Sequence, residues 1–235
     1  MIFNFLLQAN PVPAEPVVNE PVVANTAIES VNFFQLIMKG GVMVIPIFIL
    51  FFLTVYIIVE RYLYIKKQTK LDNSLINELK YQLNSGNIQS AAMICDKSNT
   101  AYGAVLRNGV NTIGRPINEI DLALEKSANI EMGLMEKKLG YLGIVAGIAP
   151  ILGFIGTISG VIKIFYTISI TENISIGNIS GGLYEKMISS GLGLIVGVIA
   201  YAAYHFFNMM IDHFALNMQR QGLEFINVIQ QPNTK

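Results

Sequence analysis

The residues best suited to chemistry in this chain are two hydroxyls and one carboxylate. Thr157 and Ser190 stand inside long runs free of Asp, Glu, Lys and Arg, and Glu185, beside Lys186, stands at the edge of the second run. A hydroxyl at membrane depth acts by hydrogen bonding, and a charge there is expensive unless it faces water or a partner. Covalent catalysis finds no support, because no nucleophile with a base and no phosphate-cradling loop is present. The single cysteine, Cys95, cannot form an internal disulfide, and the two histidines, His205 and His213, build no cluster at metal-ligand spacing. No enzyme activity, metal or cofactor is therefore expected. His205 reads as an interface residue, His213 as a solvated one, and Cys95 as a small apolar residue in a core.

The elements that position these groups follow from composition. Of the 235 residues, 52% are hydrophobic and 14% are charged, against about 25% charged in an average soluble domain. Three stretches, 40–59, 139–162 and 187–211, contain no Asp, Glu, Lys or Arg, and each matches the roughly 20 residues a membrane-spanning helix needs. Lipid offers no partners to backbone polar groups, so these runs should be helices. The fold class expected is all-α: an integral membrane protein with three transmembrane helices, the second and third extended into the cytoplasm. Sixteen basic and sixteen acidic residues give a net charge of zero, which removes nucleic acid as a partner.

Small residues repeat along two of the spans. Ala146, Pro150, Gly153, Thr157 and Gly160 are spaced by four and three, and Lys186, Ser190, Gly193, Gly197 and Ala200 repeat a similar pattern. Such seams allow helices to approach closely. The expectation is that Pro150, Gly153, Gly160, Gly193 and Gly197 serve helix packing and that the two seams hold copies of the chain together.

Charge sets the expected orientation. Residues 60–138 carry eleven Lys and Arg, whereas Lys39 is the only basic residue before the first span. Basic residues collect on the cytoplasmic side. The organisation expected is a Pro-rich mobile tail (1–30), an interfacial segment and first transmembrane helix (31–59), a cytoplasmic helical insert (60–138), a second transmembrane helix (139–163), a short periplasmic connection (164–186), a third transmembrane helix (187–211) and a cytoplasmic C-terminal helix (212–235). A cleaved signal peptide is the alternative for the tail.

Inside the insert, Leu75, Leu79 and Leu83 predict one helix, Ser85-Gly86-Asn87 a stop, and Ile88 to Asp96 a second helix. A third should begin after Pro116, with Ile117, Ile120, Leu124, Ala128 and Met132 on one face, and run on into the second span. Phe214, Met218, Phe225, Ile226 and Ile229 predict that the third span continues beyond the membrane.

These residues also carry a resemblance. The stretch Ala149-Pro150-Ile151-Leu152-Gly153-Phe154-Ile155-Gly156-Thr157-Ile158-Ser159-Gly160 resembles the A-P-x-L-G-x-x-G-T-x-x-G signature of the MotA/TolQ/ExbB proton-channel family. Gly182 to Leu194 is similar to that family's G-I-x-E-A-L-x-x-T-A-x-G-L. Glu60-Arg61 resembles its E-R pair, and Gly86-Asn87 with Ala91 and Cys95 resembles its G-D-x-x-x-A-x-x-x-C stretch. The sequence departs from the pattern at Lys186, where the family usually has Ala, at Ser190 (Thr) and at Gly191 (Ala).

The resemblance implies an ExbB-like or TolQ-like subunit of an inner-membrane motor driven by proton motive force, with its N-terminus outside and C-terminus inside. It implies a homo-oligomer, a pentamer, around the single spans of an ExbD-like or TolR-like subunit that supplies the titrating aspartate. A TonB-like or TolA-like protein would receive the motion. Thr157, Ser190 and Glu185 would then belong to the ion pathway, and Gly156 would join the helix-packing set. TonB-type transport, Tol-type envelope maintenance and motility remain alternatives, as does a non-conducting oligomeric scaffold.

Overall fold

The computed structural model describes residues 42–70, 73–171 and 176–230. The expected mobile tail, the interfacial segment before the first span and the last five residues lie outside the described residues. Every element among the described residues is an α-helix: α1 (Val44–Gln68), α2 (Asn73–Asn84), α3 (Ile88–Ser98), α4 (Ala101–Asn111), α5 (Ile117–Glu136), α6 (Leu139–Thr171) and α7 (Ile176–Gln230). Three of them, α1, α6 and α7 from Ile179 onward, are long and apolar enough to cross a membrane. The chain is an all-α integral membrane protein.

The long helices outrun the charge-free runs that predicted them. α6 continues to Thr171 and α7 begins at Ile176, so most of the 164–186 connection is helical. Hydropathy marks where a helix is apolar, and hydrogen bonding carries the helix further. α7 is one helix of 55 residues, about 80 Å at 1.5 Å per residue, against a hydrocarbon core of about 30 Å. Its second half buries Phe214, Met218 and Phe225, which is the continuation that the apolar spacing predicts.

The insert wraps that second half. α2 stops at Asn84, and Gly86 takes a positive φ of 72° that suits glycine. Asn87 then caps α3 by accepting from the Ser90 amide at 3.2 Å. α5 starts directly after Pro116 and buries Ile120 and Leu124, while Ile117 is 42% exposed. The sequence reading missed α4, the deepest helix of the insert. Thr100 caps it through the Gly103 amide at 3.3 Å, and Tyr102, Val105, Leu106 and Val110 are fully buried. Tyr102 meets Phe214 of α7 edge-on, with ring centroids 4.8 Å apart.

The expected run of α5 into the second span is interrupted. Lys138 has φ 76°, a backbone conformation that breaks a right-handed helix, and α6 restarts at Leu139. Charges where the apolar part of α1 ends hold the corner. Arg61 binds Glu60 through two bonds of 2.7 and 2.6 Å and donates to the Leu134 carbonyl at 3.3 Å, near the end of α5. Lys138 reaches the same Glu60 at 3.1 Å. The carbonyls that a helix end leaves open need such partners.

Candidate functional site

α6 and α7 run antiparallel, and glycines let their backbones touch. A Cβ added at Gly153 would stand 2.9 Å from the Ser190 Cα, and one at Gly193 would stand 2.5 Å from the Ala149 carbonyl oxygen. Pro150 lacks an N–H, so the Ala146 carbonyl has no partner in its own helix. A Cβ on Gly197 would meet Pro150 Cγ at 2.6 Å and that Ala146 oxygen at 3.2 Å. Gly156 faces Ser189 Oγ and Met43, and Gly160 leaves the space that the Lys186 side chain fills. The two small-residue seams therefore lie against each other within one chain. This corrects the expectation that they hold separate copies together, because the seam glycines are already covered inside the chain, while Thr157 and Ser190 at its edge stay half-buried.

Thr157 lies in this seam. Its Oγ1 is within bonding distance of the Gly153 carbonyl, 3.3 Å along its own helix, and of the Lys186 carbonyl, 3.2 Å across to α7. One hydroxyl proton serves one acceptor at a time, and the oxygen keeps lone pairs for a further donor. Ser189 Oγ donates to the same Lys186 carbonyl at 2.9 Å. Ser190 is half-buried with its backbone against Gly153, whereas Ser189 is fully buried. The sequence reading singled out Ser190 and missed Ser189; its one signal was a hydroxyl three residues after Lys186, one helical turn along the same face. Of Glu185, only the helical backbone is described.

A buried hydroxyl on α1 shows what the half-buried Thr157 does differently. Thr54 on α1 is fully buried and donates to Leu50 of its own helix at 2.7 Å. Thr157 has acceptors on two helices.

Where α5, α6 and α7 meet, a cavity of about 470 Å³ is lined by Glu136, Gly140, Tyr204, Asn208 and Asp212. Neither carboxylate was singled out from the sequence, because each reads as an ordinary surface charge. His205 is exposed, edge-on to Tyr201 and Tyr204 with ring centroids at 4.4 and 5.3 Å, and His213 is exposed as well. Cys95 is 2% exposed, and burial, helped by the Asp96 charge, pushes its thiol up to about 11. Among the described residues no three of His, Cys, Asp and Glu converge on a metal position.

Residues 97–220 match the model of the MotA/TolQ/ExbB proton channel family. The biopolymer transport protein ExbB-like 3 of Synechocystis sp. is 23% identical over 188 residues, 79% of this chain and 90% of its own length. An ExbB homolog of Methanothermobacter thermautotrophicus is 25% identical over 190 residues, 77% of this chain and 66% of its own length. The Tol-Pal system protein TolQ of Haemophilus influenzae is 24% identical over 90 residues, 38% of this chain and 40% of its own length. The matched stretch takes in the seam, the corner at Lys138 and helices α4 and α5 of the insert, more than half of the chain, and on that ground the chain belongs to the MotA/TolQ/ExbB proton channel family.

Proposed function

We propose that this chain is the proton-pathway subunit of an inner-membrane motor that couples proton motive force to work at the outer membrane, in the manner of ExbB. The observation that carries the reading is the Thr157 hydroxyl, which stands between two membrane-spanning helices within reach of the Lys186 carbonyl at 3.2 Å. The charge-free runs of the three spans contain no carboxylate, so the titrating group must come from elsewhere. An ExbD-like or TolR-like single-span partner would bring an aspartate to Thr157 and Ser190, with Glu185 at the outer mouth. Glu136 and Asp212 would receive protons at the inner end. A pentamer would form through the faces of α6 that this chain leaves uncovered, where Ile151, Phe154 and Ile158 are exposed. A TonB-like or TolA-like protein would take up the motion, with the N-terminus outside and the insert in the cytoplasm.

A second reading, a non-conducting oligomeric scaffold, is favoured by one observation: the same hydroxyl also ties α6 to α7. Motor-dependent growth separates the two. Thr157→Val keeps the shape and removes the hydroxyl; energy transduction should fall sharply while assembly with the partner stays normal, and Thr157→Ser should retain much of the activity. Full activity of the Thr157→Val, Ser190→Ala double variant at normal assembly would leave the scaffold reading. A TolQ-like role would show as envelope leakage in place of lost uptake.

A further inference from the structure

Lys186 differs from the other charges at the ends of the spans in where its side chain goes. The charge-free run of α6 ends at residue 162 and that of α7 begins at residue 187, so Lys186 sits where both runs reach their polar ends. A helical side chain leans toward the N-terminus of its helix, while the carbonyl of the same residue points toward the C-terminus. Across the antiparallel seam these two directions span one turn of α6. The Lys186 carbonyl is 3.2 Å from the Thr157 hydroxyl, and the Lys186 side chain crosses Gly160, three residues farther from the insert. A Cβ on Gly160 would overlap Lys186 Cγ and stand 2.7 Å from its Cε, so the glycine is what admits the stem. Gly160 is buried and Lys186 is half-buried. The stem is thus held over α6 up to its last carbon, and the ammonium, one bond further, stands about one helical turn, roughly 5 Å, beyond the level of Thr157.

The groups around it define what that charge can meet. Lys163 on α6, three residues beyond Gly160, is exposed and of the same sign. From the start of α1, Met43 reaches the seam against Gly156 and brings no charge. Glu185 is the one acid within three residues of either Gly160 or Lys186. A cation at the edge of a span is costly unless it faces water or an anion. At a separation of about 6 Å and an effective dielectric of about 20, it favours an ionised carboxylate over a neutral one by on the order of a hundredfold.

We propose that Lys186 is the counter-ion of the single-span partner's titrating carboxylate, a docking point one turn beyond Thr157. The ionised carboxylate pairs with the ammonium, and a proton arriving on it removes the charge and releases it. This rests on the reading that a partner brings its carboxylate to Thr157. It adds the group that holds that carboxylate in its charged form, which the neutral hydroxyls of Thr157 and Ser190 do only by hydrogen bonding.

The test is zero-length carbodiimide coupling of the complex isolated from membranes with its partner, because this reagent forms an amide only between a carboxylate and an amine in contact. Peptide mass spectrometry should find Lys186 joined to a carboxyl group in the partner's membrane span. Lys186→Met keeps the stem over Gly160 and removes the charge. The cross-link should vanish, and motor-dependent activity should fall about tenfold at normal assembly. Lys186→Arg should restore most of that activity. Coupling of Lys186 to Glu185 or to another carboxyl of this chain, no coupling at Lys186, or full activity of Lys186→Met would each overturn the proposal. If Lys186→Arg does not assemble, the cross-link alone decides. The two readings fail separately. Full activity of the Thr157→Val, Ser190→Ala double variant with Lys186 still coupled removes the proton-pathway reading. Loss of activity in that variant, with no coupling at Lys186 in the parent, removes the counter-ion alone.

Discussion

The α6–α7 seam and the α2–α5 insert bury their contacts in opposite ways. The seam is built from what side chains leave out: Gly153, Gly193 and Gly197 bring backbone to within contact of backbone, and most large residues of α6 face outward. The insert is built from what side chains fill: Tyr102, Val105, Leu106 and Val110 are buried together with Phe214 from the part of α7 that the insert wraps, and polar groups face out. The surroundings explain the difference. Between helices in lipid there is no hydrophobic gain from burying leucine, so close approach and polar contacts must serve. In water the same burial is the main driving term. The seam should therefore fail when volume is added and the insert when volume is removed.

The largest effect expected is from adding volume to the seam. Gly193→Leu must displace the Ala149 carbonyl and the Gly153 backbone, which cannot rotate away, and should cost upward of about 5 kcal/mol. The readout is the yield of monodisperse protein in detergent. Gly147→Leu, on the facing helix α6 with nothing within 4 Å of an added Cβ, should leave the fold of a single chain intact. Equal tolerance of both would dissolve the contrast.

Next comes removal of volume from the core that the insert forms with α7. Phe214→Ala empties the space beside Tyr102 and should cost about 3–4 kcal/mol, read as a lowered thermal midpoint. If the seam and insert melt as separate units, that variant should lose protection from amide exchange in α4 and α5 before the α6–α7 contact opens.

A smaller effect comes from pH. Cys95 in the folded insert keeps its proton up to about 11, against 9.0 for a free thiol. Below pH 9 both states hold the proton and nothing changes. Between about 9 and 11 the unfolded chain releases it and the folded chain does not, so stability falls as pH rises, by on the order of 2 kcal/mol at the upper end. Comparing thermal midpoints at pH 8 and pH 10.5 in the parent and in Cys95→Ala isolates this term, because the variant lacks the thiol. Maleimide should react with Cys95 only on unfolding.

The smallest stability effect belongs to the residue with the largest proposed functional one. Thr157→Val removes one bond between α6 and α7 and should cost about 1 kcal/mol of stability, read from the shift in thermal midpoint, while motor-dependent growth falls sharply. A cost of several kcal/mol with growth lost in proportion would place Thr157 in the packing of the seam.

What the sequence determined by itself is the set of helices and their character. Three charge-free runs required three spans, because an unpaired backbone has no place in lipid, and Gly86 and Pro116 fixed two of the insert's turns through their own backbone geometry. α4 was harder to read, since its eleven residues fall between a cap and a turn with too short an apolar pattern to stand out. The tertiary structure decided which face meets which. Spacing marked small residues on both α6 and α7, yet a stripe of glycines looks the same whether its partner lies in the same chain or in another copy. Only the packed helices show that the stripes close on each other. The break at Lys138 was equally hidden: no glycine or proline marks it, and it depends on Arg61 and Glu60, more than seventy residues away in sequence, meeting the open end of α5. The same holds for Ser189 and Ser190, adjacent hydroxyls that differ only in direction. Composition cannot say which of two neighbours faces another helix; the rotation of α7 against α6 does.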